Sequence, residues 1–387
     1  MKANLRAFED AFQAIISISR EHAMKMIKEQ KENILEVIDL LKSAKENKRI
    51  HIAGMGRSKL AGKVLGELLK LLGYNVSIIG ETLSRPVREG DIVIAVSASG
   101  WTTTTCLIAE EAIRLGAKVI ALTATPKSKL DRLSDISLYL PGKATIDYTS
   151  YIIRQLIGRH KTPLTPMGTI PETNTILVGM GLAKCLENSK NPLNDFISTI
   201  NIVLDNAEKS LNQIRREESI LEEIIEEVSK GVGRKTPKIY FIGTGISRII
   251  GLMSATRFQH LGINVLDIDD WKFRSKGDIL IAISSSGESA ETLLYTQEAI
   301  RSNLKVLALT ANPESTLSKL TNKILILTDF AEREEYIKLR IRDEKPSAFI
   351  PAFEYAALIT LEGVVAQIAE NYNIKEEDMR ILHANIE

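Results

Sequence analysis

The feature that most constrains this chain is that it repeats itself. The stretch RIHIAGMGRSKLAGKVLGELLKLLGYNV at 49–76 resembles KIYFIGTGISRIIGLMSATRFQHLGINV at 238–265. Further on, GDIVIAVSASG at 90–100 resembles GDILIAISSSG at 277–287, and AKVIALTATPKSKL at 117–130 resembles LKVLALTANPESTL at 304–317. The spacing is 189 residues between Gly54 and Gly243 and 187 between Thr123 and Thr310. A period near 190 is far too long for a solenoid, so each copy is a whole domain. The length of 387 residues also exceeds what one ordinary core supports. The boundary falls near Pro192, after the loop ENSKNP, giving expected domains 1–192 and 193–387.

Within each copy, strand and helix patterns alternate. RIHIAG is a short apolar run ending in glycine, and Leu60 to Leu72 carries apolar residues at helical spacing before Gly73. DIVIAVS, KVIALT and ISLYLP are further β-rich runs, with a helical stretch from Thr104 to Leu115. Strands alternating with helices predict a parallel sheet covered on both faces. Longer amphipathic helices flank each copy, such as 194–230, which contains EESILEEIIEEV.

Composition narrows the class. The net charge is +1, so bulk electrostatics select neither nucleic acid nor a membrane as partner. No helix-turn-helix reader is evident. Cys106 and Cys185 make neither a disulfide framework nor a metal knuckle. The N-terminal stretch mixes charges with apolar residues, unlike a signal peptide, and no uncharged apolar run of spanning length appears. The expected compartment is the cytoplasm.

The serine-rich turns carry the chemistry. SASGWTTTT begins at Ser97 and SSSGESAET at Ser284, each between a strand and a helix. Ligands of open parallel sheets bind beyond the carboxyl ends of the strands. Hydroxyls and backbone N–H groups at a helix N-terminus suit a phosphate there. Ser97, Ser99, Gly100 and Thr102 therefore form one candidate anion cradle, and Ser284, Ser286, Gly287 and Ser289 a second. The alternative is a capped turn without ligand. The companion turns GMGRS and GTGIS do not fit a dinucleotide, because Lys59 and Arg248 stand where the third glycine of that fingerprint belongs. A phosphomonoester fits better, with Gly56, Arg57, Ser58 and Ser247 supplying donors.

These turns resemble those of sugar isomerase (SIS) domains, over both halves of the chain. Within that group the sequence is similar to the archaeal and bacterial 6-phospho-3-hexuloisomerase family. PMGTIPE at 166–172, GETLSRP at 80–86, TANPES, RFQHLG and the terminal HANIE carry that likeness. The resemblance implies an α/β fold with two tandem flavodoxin-like SIS domains, each a three-layer α/β/α sandwich. It also implies interconversion of 3-hexulose 6-phosphate and fructose 6-phosphate without metal or organic cofactor, in oligomers whose sites lie at subunit contacts. By the same resemblance Glu172 is the candidate base, with Glu354 as its counterpart in the second copy. His260 of RFQHLG and His383 of the tail are candidates to open the ring or protonate an oxygen.

Each copy keeps a different subset of the pattern. Arg57 follows the first GxG, but Ile246 follows the second. Trp101 replaces the glutamate that Glu288 supplies in the second copy, and Leu71 stands opposite His260. This predicts one composite pocket, with phosphate turns and carboxylate from the first copy and histidine from the second, beside a weakened reciprocal pocket. For Glu172, burial raises the proton affinity and the helix N-terminus lowers it. Lys59 is a further candidate cation, Trp101 either stacks on a sugar or fills a gap, and RQLIGRHK at 154–161 reads as a solvated loop. Two other readings remain. One is a tandem SIS enzyme of other chemistry, such as a glucosamine-phosphate deaminase or a phosphoglucose/phosphomannose isomerase, against which the HANIE tail argues. The other is a sugar-phosphate-binding protein without catalysis. The expected assembly is an internal pseudo-dimer that forms a homodimer.

Overall fold

The computed structural model describes residues 5–45, 47–142, 169–187, 189–328 and 350–382. The first half runs α1 (Arg6–Glu29), α2 (Lys31–Ser43), β1 (Ile50–Gly54), α3 (Gly56–Leu71), β2 (Val76–Ile78), β3 (Ile92–Val96), α4 (Thr103–Arg114), β4 (Lys118–Thr123), α5 (Lys129–Leu133), β5 (Ile136–Tyr139) and α6 (Thr169–Cys185). The second half repeats it as α7 (Pro192–Arg216), α8 (Glu218–Ser229), β6 (Ile239–Ile242), α9 (Ile246–Gln259), β7 (Val265–Leu266), a 3-10 turn (Ile268–Phe273), β8 (Ile279–Ile283), α10 (Ala290–Arg301), β9 (Lys305–Thr310), α11 (Thr316–Leu320), β10 (Ile324–Ile326), α12 (Ala352–Asn371) and α13 (Glu376–Ile381). His383 and the stretch 154–161 lie outside the described residues.

Both sheets are wholly parallel and share one strand order. The first is β2-β1-β3-β4-β5, and the second, read from β7, is β7-β6-β8-β9-β10. This is the flavodoxin-like order, in which the winding of the chain reverses between the first and third strands of each repeat while the strands stay parallel. The central strands IHIAG, IVIAV and ILIAI are buried along their full length, as parallel strands covered on both faces must be. Helix α3 starts at Gly56, ahead of the apolar spacing that begins at Leu60, so Arg57 and Ser58 lie in its first turn.

The inner faces of the two sheets share one continuous core. It runs from Phe8 and Ile52 of the first half to Phe258 and Tyr355 of the second. Smaller separate cores lie under the outer helices, around Val93 and Cys106 in one repeat and around Tyr240 and Trp271 in the other. Helices α3 and α9 pack together across the middle. Helix α6 is buried around almost its whole circumference, and so is α12, as helices at the centre of a large core are. Among the described residues α12 is the one helix long and apolar enough to cross a membrane, and its apolar window is entirely buried inside the protein.

Each half also lends its first helix to the other. Helix α1 packs on α12, and α7 packs on α6. The two contacts match in detail. A Cβ on Gly363 would overlap the Phe8 ring, and one on Gly181 would overlap the Phe196 ring. Glycine at those points lets the aromatic ring reach the helix backbone. The same lent helices brace their own sheet edges. Gln30 accepts from the Tyr139 backbone N–H at 2.7 Å, and Glu217 accepts from that of Ile326 at 3.1 Å.

Candidate functional site

The glycine and serine turns sit where each sheet reverses direction. GMGRS joins β1 to α3, SASGWT joins β3 to α4, and the second copy repeats both turns ahead of α9 and α10. In the first cradle Ser97 Oγ accepts from the Gly100 N–H at 3.1 Å and lies 3.0 Å from Thr102 Oγ1. Ser99 Oγ accepts from the Trp101 N–H at 3.1 Å. The second cradle reproduces these bonds with Ser284, Gly287, Ser289, Ser286 and Glu288. Gly100 and Gly287 have φ of 67° and 66°, and a Cβ on either would collide with Ser128 or Ser315, the caps of the next short helices. Those glycines are thus required by the turn itself. Neither Thr102 nor Ser289 caps its helix through the side chain, so the first-turn amides of α4 and α10 are not closed off by them. Ser99 and Gly56 are exposed and Ser58 and Thr102 half-buried, at the mouth of the first sheet. The copies differ beside Gly100. Trp101 is 55% exposed there, whereas Glu288 accepts from the Thr316 backbone N–H at 2.7 Å and closes its own loop.

Arg57, in the first turn of α3 behind GMGRS, belongs to a buried cluster of charge drawn from both halves. Arg57 Nε stands 2.8 Å from Glu172 Oε2, and Arg57 Nη2 donates to Glu362 Oε1 at 2.7 Å. The other oxygen of Glu362 accepts from Arg257 Nε at 3.1 Å and from Thr169 Oγ1 at 3.3 Å. Arg257 Nη1 in turn lies 3.3 Å from His260 Nδ1. Arg57, Glu172, Arg257, His260 and Glu362 are each between 3% and 6% exposed. Their elements converge there because α3 and α9 cross, α6 packs on α3, and α12 packs on α9.

Two arginines and two carboxylates balance within this cluster, as charges this deep must. Burial favours a neutral Glu362, but Arg57 and Arg257 outweigh it and hold the carboxyl below its usual range. Burial likewise opposes charge on Arg57, yet Glu172 and Glu362 outweigh it and leave this guanidinium above its ordinary value. For Arg257 burial prevails, with repulsion from Arg57 adding to it, and the group sits below its ordinary value. Arg57 Nε and Nη1 are both buried without a hydrogen-bond partner among the described residues, the approach of Nε to Glu172 being an ion pair. That leaves unused donor capacity on the guanidinium beside Glu172.

The pseudo-symmetric position is different in kind. Ile246 stands for Arg57, Leu68 for Arg257, Leu71 for His260 and Met180 for Glu362. Glu354 is kept, 4% exposed, and accepts from Ser247 Oγ at 3.1 Å. Among the described residues the polar cluster therefore occurs once, and the counterpart positions hold apolar side chains with a serine–glutamate pair. An open cavity of about 780 Å³ lies elsewhere, around Lys276, Asn303 and Thr321 at the amino edge of the second sheet. Ligands of such sheets bind at the opposite edge, so this cavity is not the candidate site.

The structure thus brings Arg57 and Glu172 of the first copy together with His260 of the second. Sequence reasoning missed Glu362 and Arg257. Both left a trace: Arg257 opens the RFQHLG segment, and Glu362 is a lone charge inside the apolar run ALITLEGVVA. A charge amid a buried helix demands a partner. Among the described residues no group of histidine, cysteine and acidic side chains could hold a metal ion.

Comparison with known proteins agrees with this architecture. The family described as SIS domain matches residues 43–157 and 234–336. An uncharacterised protein of Aeropyrum pernix is 42% identical over 134 residues, covering 34% of this chain and 63% of that one. A protein of Bacillus subtilis named 3-hexulose-6-phosphate isomerase is 36% identical over 129 residues, covering 33% of this chain and 65% of that one. The chain thus spans somewhat less than two thirds of the length of either relative. Among solved structures, the C-terminal domain of glucosamine-fructose-6-phosphate aminotransferase from Francisella tularensis superposes with a TM-score of 0.61 at 16% identity, over 93% of this chain and 96% of that one. That likeness concerns the fold alone. The two SIS matches together take in more than half of the residues, one in each parallel sheet, and the chain belongs to the SIS-domain family, carrying the domain twice.

Proposed function

We propose that this chain is a phosphosugar isomerase that interconverts 3-hexulose 6-phosphate and fructose 6-phosphate through an enediolate. The observation that carries the reading is the single buried cluster joining Glu172 and Arg57 of one repeat to His260 of the other, at the carboxyl edge of the first sheet. Moving a carbonyl along a sugar requires a base for the proton on the adjacent carbon and donors for the oxygens that become negative. Glu172 takes the base role. Arg57 is the donor beside it, and His260 acts on a sugar oxygen. Ser58, Ser99, Thr102 and the first-turn amides of α4 hold the phosphate. The reciprocal pocket, with Ile246, Leu71 and Met180, lacks the cations and the imidazole and does not turn over. We divide the chain at Pro192 into domains 1–192 and 193–387, place it in the cytoplasm, and expect the internal pseudo-dimer to pair with a second copy.

The test is formation of fructose 6-phosphate by the purified protein. Glu172→Gln is expected to lower kcat by about 10²–10⁴-fold while sugar-phosphate binding persists. A second reading, a sugar-phosphate-binding protein without catalysis, is favoured by one observation: the carboxylate of Glu172 is buried and already held against Arg57 at 2.8 Å. Tight binding of fructose 6-phosphate with no turnover by the unaltered protein would establish that reading instead.

A further inference from the structure

The buried cluster reaches beyond Glu172 and Arg57, and its remaining members have a role that the isomerase reading does not supply. Resting on that reading, we propose that Arg257 and Glu362 are positioning residues that fix His260 as a neutral imidazole with its proton on Nε2. The ring then serves the reaction as a hydrogen-bond donor to a sugar oxygen, not as a base.

The argument starts from donor chemistry. A guanidinium has five N–H donors and no acceptor. Arg257 Nη1 lies 3.3 Å from His260 Nδ1, so the bond exists only if Nδ1 presents its lone pair. The single proton of the neutral ring is then on Nε2. An imidazolium would turn an N–H toward the guanidinium and add a third positive charge beside Arg57 and Arg257. Arg257 is not free to swing away. Its Nε is tied to Glu362 Oε2 at 3.1 Å, and the other oxygen of that carboxylate grips Arg57 at 2.7 Å. One carboxylate from the second repeat thereby sets both the histidine arm and the Glu172–Arg57 arm. A donor role also suits the chemistry. Glu172 receives the proton from carbon, and the growing negative charge on oxygen is met by N–H groups that need not ionise.

The sister position gives independent support. There Ile246, Leu68, Leu71 and Met180 replace Arg57, Arg257, His260 and Glu362 all at once. Residues exchanged as a set behave as one device.

The experiment is nitrogen-15 spectroscopy of the histidine rings in the full chain at neutral pH. The protein has five histidines, and His260→Gln identifies the signal. In the unaltered protein the His260 Nδ1 is expected at the pyridine-like position and Nε2 at the pyrrole-like one. A protonated Nδ1, in either the neutral or the charged ring, overturns the proposal. The double variant Arg257→Leu, Glu362→Met installs the residues that the same packing accepts in the sister repeat, and it leaves Arg57 paired with Glu172. In it the Nδ1 signal should move toward the average of two exchanging tautomers; an unchanged signal overturns the role of Arg257. Turnover by the double variant should fall by about a hundredfold in kcat with KM altered by no more than about threefold, as for a lost transition-state contact. A loss confined to KM overturns the positioning role. Once the signal is identified, the spectrum of the unaltered protein stands whether or not the double variant folds. Absence of turnover by the unaltered protein would bear on the isomerase reading alone, because the ring signals are read without substrate.

Discussion

At the scale of single residues, the cluster around Glu362 combines high cost with tight balance. Its carboxylate is bound by two buried guanidiniums, and removing one partner strands the others in a low-dielectric interior. Glu362→Gln should therefore destabilise the protein by about 3–5 kcal/mol. The paired exchange Arg257→Leu, Glu362→Met removes one charge of each sign. It should lie within about 1–2 kcal/mol of the unaltered protein, since apolar replacement of a buried ion pair is often neutral. Urea unfolding of the three proteins checks the ordering. If the single variant proves as stable as the double, the charges are hydrated in solution and the buried reading of this cluster is wrong. The same residues mark the limit of sequence reading. Arg57, Glu172 and His260 were legible because each sits in a short motif. Glu362 was not, because its partners Arg57, Thr169 and Arg257 come from three other helices, 305, 193 and 105 residues away, and no local spacing encodes such a meeting.

At the scale of elements, the strands and their parallel order followed from alternating apolar runs, and the duplication then fixed the second sheet from the first. What the pattern did not carry was the exchange of first helices, because amphipathic spacing says that a face is buried but not against which partner. Helix α1 does two jobs. Its Phe8 end packs on α12, while its far end braces β5, where His22 Nε2 donates to the Tyr139 carbonyl at 2.9 Å. Burial is the main cause that pushes the His22 imidazole down to about 4 from its ordinary 6.5, although the bond to Tyr139 works the other way. The unfolded chain therefore takes up this proton before the folded one. The contribution of a neutral His22 is complete above 6.5 and is lost as pH falls from 6.5 to about 4. At its full extent the effect is about 3 kcal/mol. His22→Gln keeps a side-chain donor without titrating, so its stability should decline less across that window. Parallel pH profiles for the two proteins would show that His22 is hydrated and that α1 does not seal the edge of the sheet.

At the scale of the whole molecule, two sheets do not make two independent units. The inner core passes without a break from one repeat to the other, and each half covers the last long helix of its twin with its own first helix. Unfolding either half would expose the core of both, which predicts one cooperative transition. The chain carries its own reporters, because its two tryptophans are divided between the repeats: Trp101 in the first turn and Trp271 in the outer core of the second. Trp101→Phe leaves a probe of the second repeat, and Trp271→Phe a probe of the first. Their denaturant midpoints should coincide once each variant is referenced to its own calorimetric stability. A sharper form uses Phe8, fully buried against the backbone of Gly363. Phe8→Ala removes a side chain that belongs to the first half but fills a socket in the second, at a cost of about 3–5 kcal/mol. In the Trp101→Phe background it should lower the midpoint reported by Trp271, some 260 residues away in sequence, as much as it lowers the one reported by Trp101 in the other background. A shift seen by one probe alone would mean that the repeats unfold separately, and that the shared core joins them in space without coupling them in energy.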